Sequence, residues 1–336
     1  MKSRSKFAID AKTVVVLFAK AGIDGVTNIA PLGAGEFNAI YAASAGGHDY
    51  VIKIAPAEDA RTLTYESGMM KEEVGFYALM RDQAHIRVPE VFFEDFTRQT
   101  IPADYFIMER LVGETLDRAS LSVEERILAD RMTAEMVASL HRVKSDKFGY
   151  RQNGLHADWF SALSAMVKNL MQDARRCKAG SRNGKKLLSY VRRFETVLRQ
   201  VDCRLVNFDV WTPNIICRKV DGVMTLAWID PERCFWGDRI ADFVCLDFMN
   251  MRLERKTATL QAYNRSTDAP VAATPEERIR FALMLGYLGL IMEVEKYTRY
   301  TIFHFGWWRN VAASRLLMTN CFNQLKDYAH AAKAGR

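Results

Sequence analysis

The sequence predicts an α+β fold in two parts, an antiparallel five-stranded sheet with one helix followed by a mostly helical region. Three observations predict it. Short apolar runs separated by glycine turns fill roughly the first third of the chain. Beyond residue 111 the apolar spacing becomes helical. The chain has 336 residues, 49% of them hydrophobic, enough to bury a core spanning two lobes. The boundary is expected at Met108–Gly113, giving residues 1–110 to the first lobe and 111–336 to the second.

After an amphipathic segment around Thr13–Ala21, the residues Val26–Leu32, Phe37–Ala43 and Tyr50–Ile54 read as successive strands. Gly46-Gly47 marks a hairpin between the last two. Met70–Met80 reads as a helix with Val74, Tyr77 and Met80 on its apolar face. A fourth strand begins at Val88, and Tyr105–Gly113 is an edge strand leaving the sheet. Val123–Val143 is a helix with Ile127, Met132, Met136, Val137 and Leu140 on one face, ended by His141 in a packing or capping role. Trp159–Arg176 and Lys185–Val201 have the same period and are expected to pack outside the core, with the basic run Arg175–Lys186 as an exposed loop. Lys219–Val223 is a hairpin. Phe281–Val294 is too short to span a bilayer and reads as a buried helix.

A net charge of +7 is mildly basic and reads as scattered solvated charge; no aromatic platform accompanies the basic run, so a nucleic-acid partner is not expected. The six cysteines form no CxxC pair and read as reduced thiols. The N-terminus lacks a signal-like apolar run, and a cytoplasmic protein without a membrane partner is expected.

The chemistry concentrates in Leu205–Cys217, answered by Trp228–Glu232. Phosphoryl transfer needs in-line positioning, charge neutralisation by Mg²⁺ and an acid near the attacking hydroxyl. Asp209 precedes a Pro-containing turn that could aim its carboxylate at a bound alcohol, and Asn214 follows with a side-chain carbonyl able to ligand Mg²⁺. The hairpin returns the chain to deliver Asp230 beside Asn214, with Glu232 extending or orienting the metal shell. Taken alone, Asp209 and Asn214 could equally be turn residues. The turn Leu32–Asn38, with Gly33 and Gly35, could bring backbone N–H groups to phosphate or be a tight turn only. Lys53, a lone cation in an apolar strand, can reach a phosphate, and Glu73 is favoured over Glu72 as its counter-ion. Free backbone groups at Glu109–Leu111 could meet a purine edge or serve only as a connection. Asp238 reads as a helix N-cap, and Asp242 as a structural acid bonding back to the loop before Asp209.

In this order the residues resemble the aminoglycoside phosphotransferase and choline kinase-like family of the protein-kinase-like two-lobed fold. The resemblance spans Val26 to Asp242 and rests on Leu32-Gly33-Ala34-Gly35 with Asn38, Val51-Ile52-Lys53, Glu73–Tyr77, Ile107-Met108-Glu109 with Gly113, Leu140-His141, Phe148-Gly149, Asp209 through Asn214, and Ile229-Asp230-Pro231-Glu232 with Gly237-Asp238. It implies that Lys53 holds nucleotide phosphates and is oriented by Glu73, and that Gly33, Gly35 and Asn38 cover the nucleotide. It further implies that the Met108, Glu109 and Arg110 region receives the base, Asp209 is the catalytic base, and Asn214 and Asp230 ligand magnesium. ATP or GTP would be the donor, and a small-molecule hydroxyl the acceptor, an antibiotic or amino alcohol being the expected class. The family usually has His-Gly before the catalytic acid, whereas here Asn207-Phe208 stand there. That departure motivates a competing reading, a catalytically silent nucleotide-binding or scaffold protein. Toward the C-terminus, Tyr300, His304, Trp307 and Trp308 either pack between helices or line an acceptor pocket, with Glu293 or Glu295 drawing in a cationic acceptor.

Overall fold

The structure, a computed structural model, describes residues 7–33, 37–57 and 61–334, with side chains as far as residue 330. Helix α1 (Ala11–Lys20), capped by Asp10, leads into a five-stranded antiparallel sheet of β1 (Thr27–Pro31), β2 (Ala39–Ala45), β3 (His48–Ile54), β4 (Val91–Asp95) and β5 (Tyr105–Glu109) in the order β1-β2-β3-β5-β4. Helix α2 (Met69–Asp82) connects β3 to β4. Side chains alternate across the sheet. Ile52, Ile54, Tyr105 and Ile107 join Val14, Leu17 and Phe18 of α1 on one face, while Val51, Phe106 and Met108 join Phe76, Tyr77 and Met80 of α2 on the other. Lys53, between Ile52 and Ile54, must therefore share the α2 face, and that parity positions the site. The β2–β3 turn carries positive φ at both Gly46 and Gly47, the backbone expected of a two-residue hairpin.

Beyond the sheet, β6 (Glu114–Thr115) pairs with β8 (Ile215–Val220), which forms a hairpin with β9 (Val223–Trp228); β7 (Arg204–Val206) pairs with β10 (Phe235–Gly237). The remainder is helical: α3 (Val123–Leu140), α4 (Trp159–Arg176), α5 (Arg182–Arg193), α6 (Glu195–Leu198), α7 (Thr257–Ser266), α8 (Pro275–Arg299) and α9 (Phe305–Ala334). Ser122 and Thr274 start α3 and α8 with reciprocal capping boxes to Glu125 and Glu277.

Three expectations change. Ile127 is 64% exposed, because the buried face of α3 is set by Ala129, Ala134, Val137, Ala138 and Leu140. Helices α4 and α5 lie inside the main core: Trp159 is fully buried and stacks on Phe235, and Gly184 abuts Met171 of α4. The basic run is mostly helix, with Arg175 and Arg176 ending α4, Lys185 and Lys186 lying in α5, and Lys186 resting on the Phe322 ring. Phe281–Val294 lies within α8 and is almost wholly buried. Among the described residues no helix is long and apolar enough to cross a membrane.

Candidate active site

Lys53 is 2% exposed, and its ammonium gathers three carboxylates. Nζ lies 2.9 and 2.7 Å from the two oxygens of Glu73, 3.4 Å from Glu232 Oε2, and in close contact with Asp230 Oδ1. Glu73 is the partner rather than Glu72 because its position on α2 faces the sheet; Glu72 lies on the flank and meets Arg151 at 3.4 Å. Burial opposes the charge on Lys53, yet Asp230, Glu73 and Glu232 together outweigh it and hold the ammonium well above its ordinary pKa. Burial also raises the carboxyls of Glu73 and Glu232, against the pull of Lys53. Asn38 joins the cluster by donating from Nδ2 to Glu232 at 3.1 Å. Carboxylate oxygens of Glu73, Asp230 and Glu232 lie within 4.8 Å of one another, a hard-oxygen set chemically suited to a divalent cation.

The segment leading to Asp209 is held from behind. Asp242, fully buried, accepts from the backbone N–H of Asn207 at 3.1 Å and of Phe208 at 2.6 Å, and its other contact is His141 Nε2 at 2.9 Å. The Tyr263 hydroxyl is 2.9 Å from the opposite ring nitrogen of His141, so the imidazole is fixed at both ends. His141 thus ends α3, as its sequence position suggested, and also braces the loop through Asp242. Asp238 caps the following turn by accepting from Ile240 N–H at 3.1 Å, and Arg280 lies 3.0 Å from its other oxygen. Phe208 adopts φ +57°, a left-handed conformation that favours glycine over a residue with a Cβ. Its ring is buried against Phe235 and Tyr287, with centroids 5.5 and 5.7 Å away. The Asn207 side-chain amide meets no hydrogen-bond partner among the described residues, so the backbone of Asn207, not its side chain, ties the loop.

Asp209 is partly buried, and Asn214 Nδ2 donates to its Oδ2 at 3.1 Å and to its carbonyl at 3.2 Å. Burial raises the Asp209 carboxyl above the usual range, with the charge of Arg233 working against that push. Ile229 N–H donates to the Asn214 carbonyl at 2.9 Å, which brings Asp230 alongside through the β8–β9 pairing. The Asp230 backbone, at φ +60°, donates its N–H to the Tyr77 hydroxyl at 2.9 Å. Side-chain contacts sort the acids differently from the expected metal trio: Asn214 turns to Asp209, whereas Asp230 and Glu232 turn to Lys53.

Gly33 is exposed at φ +67°, and Gly35 lies outside the described residues. Met108 is buried on the α2 face. The N–H groups of Glu109 and Arg110 donate to the carbonyls of Glu90 and Asp49, at 2.8 and 3.0 Å, and the Glu109 carboxylate meets Arg87. Those two donors are therefore taken by the sheet, a correction to the expectation that they are free for a base.

Sequence reasoning missed Tyr77, Arg233 and a buried ion-pair chain behind Asp209. Arg233 bonds Glu295 at 3.2 Å, Glu295 bonds Arg299 at 2.8 Å, and Arg299 bonds Glu66 at 2.6 Å. Arg299 also lies over the Phe37 ring at 5.0 Å. Glu295 is thereby paired with arginines, while Glu293 accepts from the neutral Asn183 amide at 2.9 Å. Tyr300 stacks on His304 and Trp307 packs on Tyr297, the packing alternative for these aromatics, while Trp308 is 60% exposed.

The model of the phosphotransferase enzyme family matches residues 28–278. Among solved structures, the chain is similar to a Ralstonia eutropha protein named for aminoglycoside phosphotransferases, at 13% identity and TM-score 0.66, covering 95% of this chain and 99% of that one. It is also similar to a Haemophilus somnus protein named for fructosamine-3-kinases, at 18% identity and TM-score 0.65, covering 92% and 97%. A third is a thermostable mutant of aminoglycoside phosphotransferase APH(4)-Ia in ternary complex with AMP-PNP and hygromycin B, at 16% identity and TM-score 0.62, covering 93% and 97%. No curated protein matches the chain.

Proposed function

This chain belongs to the phosphotransferase enzyme family, and we propose that it transfers the terminal phosphoryl group of ATP or GTP to a hydroxyl of a small molecule. The observation that carries the reading is the buried Lys53–Glu73 pair facing Asp230 and Glu232, with Asp209 and Asn214 joined on the adjoining loop. The nucleotide complex of the APH(4)-Ia mutant supports a nucleotide donor.

In this proposal Lys53 neutralises donor phosphates, Glu73 holds its ammonium in place, and Asn38 and the Gly33 turn border the phosphates. The sequence assigns Gly35 the same role, and it lies outside the described residues. Asp209 accepts the acceptor's hydroxyl proton as the new O–P bond forms and the bridging P–O bond of the donor breaks, leaving a phosphomonoester and a nucleoside diphosphate. The raised carboxyl of Asp209 suits a proton acceptor, and Asn214 fixes its direction. Asn214, Asp230 and Glu232 would hold Mg²⁺, which supplies charge neutralisation of the phosphates when bound. The base would lie beside Met108, Glu109 and Arg110, using Leu111 N–H and neighbouring carbonyls, since the N–H groups of Glu109 and Arg110 are engaged. We assign residues 1–110 to a nucleotide-binding lobe and 111–336 to a catalytic and acceptor-binding lobe. Only glycine fits the crossing at Gly113, where at φ +142° a Cβ would meet the Cys217 carbonyl at 2.5 Å. Six free cysteines suit a reducing compartment, and we place the enzyme in the cytoplasm.

The alternative of a silent nucleotide-binding scaffold is less well supported. The departure that motivated it, Phe208, is accommodated in the left-handed backbone with both loop N–H groups tied to Asp242. The test is product mass with ATP or GTP and Mg²⁺ across a hydroxyl panel. Asp209→Ala and Asp230→Ala should abolish transfer and leave the far-ultraviolet circular dichroism unchanged; full turnover in either variant removes the mechanism.

A further inference from the structure

Two stretches of the chain contain no acid. Between Asp173 and Glu195 lie eight cations, and between Glu295 and Asp327 lie five more. Together they exceed the net +7 of the whole chain, so everything outside them is net negative and the positive charge is concentrated rather than scattered. The first stretch ends α4 and forms α5, and its Arg175, Lys178, Arg182, Lys185, Lys186 and Arg192 are all exposed. Among the described residues only one of its cations, Arg176, meets a carboxylate, that of Asp173. The second stretch runs from the end of α8 through most of α9. The two are neighbours: Tyr190 of α5 stacks on Phe322 of α9 with ring centroids 6.1 Å apart, Lys186 rests on the same ring, and Arg193 donates to the Ala329 carbonyl at 2.9 Å.

Beside this charge, the turn into α9 presents apolar side chains to solvent. Phe303 is 87% and Phe305 79% exposed, and Ile302, Trp308 and Leu316 are each more than half exposed. Phe305, Trp308, Ala312 and Leu316 recur at helical spacing and make one exposed stripe along the first turns of α9. By the same spacing Arg309 and Arg315, both exposed, flank that stripe, Arg315 on the side toward Phe322 and α5. The turn itself is firmly built. Trp308 Nε1 donates to the Ile302 carbonyl at 2.9 Å, Gly306 N–H donates to His304 Nδ1 at 3.0 Å, and a Cβ at Gly306 would meet the Tyr300 ring at 2.5 Å. A turn held in this way keeps Phe303 and Phe305 in water, where their apolar area is costly.

We infer that this face docks on an anionic lipid bilayer, with Ile302, Phe303, Phe305 and Trp308 entering the boundary between headgroups and acyl chains while the cations of α5 and α9 meet lipid phosphates and carboxylates. The concentrated positive charge selects a negative partner, and the apolar tips select one with an apolar layer beneath its charge. A nucleic acid would satisfy the cations but offers no such layer to Ile302, Phe303 or Leu316. A second copy docked about a two-fold axis would set the same lysines and arginines against each other. The attachment is peripheral: side chains enter the interface and no helix crosses it. The inference goes beyond the phosphotransferase reading and does not depend on it, and it departs from the expectation that the chain has no membrane partner.

The test uses the full chain and lipid vesicles. Cosedimentation is compared for vesicles of phosphatidylcholine alone and for vesicles in which roughly one lipid in three is phosphatidylserine. Binding to the phosphatidylserine vesicles is expected, weakening steeply as salt is added, with little binding to phosphatidylcholine alone. The combined variant Arg182→Gln, Lys185→Gln and Arg192→Gln should weaken binding by about 10- to 100-fold, because each cation near an anionic surface contributes up to about 5-fold. Phe303→Ser with Phe305→Ser should weaken it by about 10-fold or more. All five of these side chains are exposed, so the far-ultraviolet circular dichroism of both variants should match the parent. Absence of binding to phosphatidylserine vesicles overturns the inference, as does binding that the phenylalanine pair leaves unchanged. Tighter binding to a DNA duplex than to the vesicles would reassign the face to nucleic acid, and dimerisation in sedimentation velocity that the phenylalanine pair abolishes would reassign it to self-association; either result overturns the inference.

Discussion

Replacing Phe208 by glycine sets two opposing terms against each other. The backbone at φ +57° disfavours a residue with a Cβ by about 1–2 kcal/mol, and glycine relieves that strain. The ring, however, is completely buried between Phe235 and Tyr287, and truncating a buried phenylalanine costs about 3–5 kcal/mol in transfer and cavity terms. The ring wins, and Phe208→Gly should be less stable than the parent by roughly 1–4 kcal/mol. Phe208→Ala keeps the strained backbone while losing the same ring, so it should fall about 1 kcal/mol below the glycine variant. Equilibrium urea unfolding followed by tryptophan fluorescence measures both, with an unchanged slope confirming that the comparison is of like transitions. Phosphoryl transfer should survive in the glycine variant, since residue 208 retains the N–H that bonds Asp242. A glycine variant as stable as the parent, or an alanine variant more stable than glycine, would refute the argument that side-chain packing fixed this loop against its backbone preference.

Asp242→Asn leaves three converging donors, from His141, Asn207 and Phe208, facing an amide with one acceptor oxygen; a loss of about 2–4 kcal/mol is expected in urea together with a fall in kcat, and a loss below about 1 kcal/mol would disprove the tether. Asp95 is held down to about 2, because hydrogen bonds from Lys20 and Thr97 overcome the opposing effect of burial. A depressed folded-state pKa contributes stability that is present above the unfolded value near 4 and lost as pH falls toward 2, so Asp95→Asn should lower Tm at pH 6 and match the parent near pH 2. Because Lys20 is partly exposed, the difference at pH 6 should be on the order of 1–2 kcal/mol, and a difference independent of pH would contradict the assignment. Gly113→Ala should destabilise by about 2 kcal/mol or more in thermal unfolding, since at φ +142° its methyl would strike the Cys217 carbonyl and Ile216; a neutral result would show that the crossing yields.

What the sequence makes legible here is what depends on short spacing. Lys53 faces α2 because strand side chains alternate, and Glu73 meets it because the apolar stripe of α2 fixes which glutamate turns inward. The backbones of Asn214 and Asp230 are brought alongside because Asp221 and Gly222 supply the positive-φ turn that folds β8 onto β9, though their side chains turn to different partners. Tyr77 was visible only as an apolar-face residue; its hydroxyl bonds a backbone N–H 153 positions away, and no local pattern encodes that partner. Helix α4 shows the same limit: its amphipathic period specifies that a face is buried, but the stacking of Trp159 on Phe235 specifies against what.

Glu295 carries the distinction furthest. Its charge is evident from the sequence, and an acid near an acceptor region invites the idea of cation capture. Whether a carboxylate attracts a ligand depends on what has already neutralised it, and Arg233 and Arg299 reach Glu295 from two separate parts of the chain's charge pattern. One follows the Asp230–Glu232 segment and the other lies a helical turn beyond Glu295, where it also binds Glu66 across 233 residues. Breaking such a buried chain by removing one member exposes the rest to uncompensated charge, so it resists re-use as a ligand subsite. The same side chain that suggested a cationic substrate in the sequence is therefore, once paired, part of the scaffold behind the loop rather than a ligand subsite.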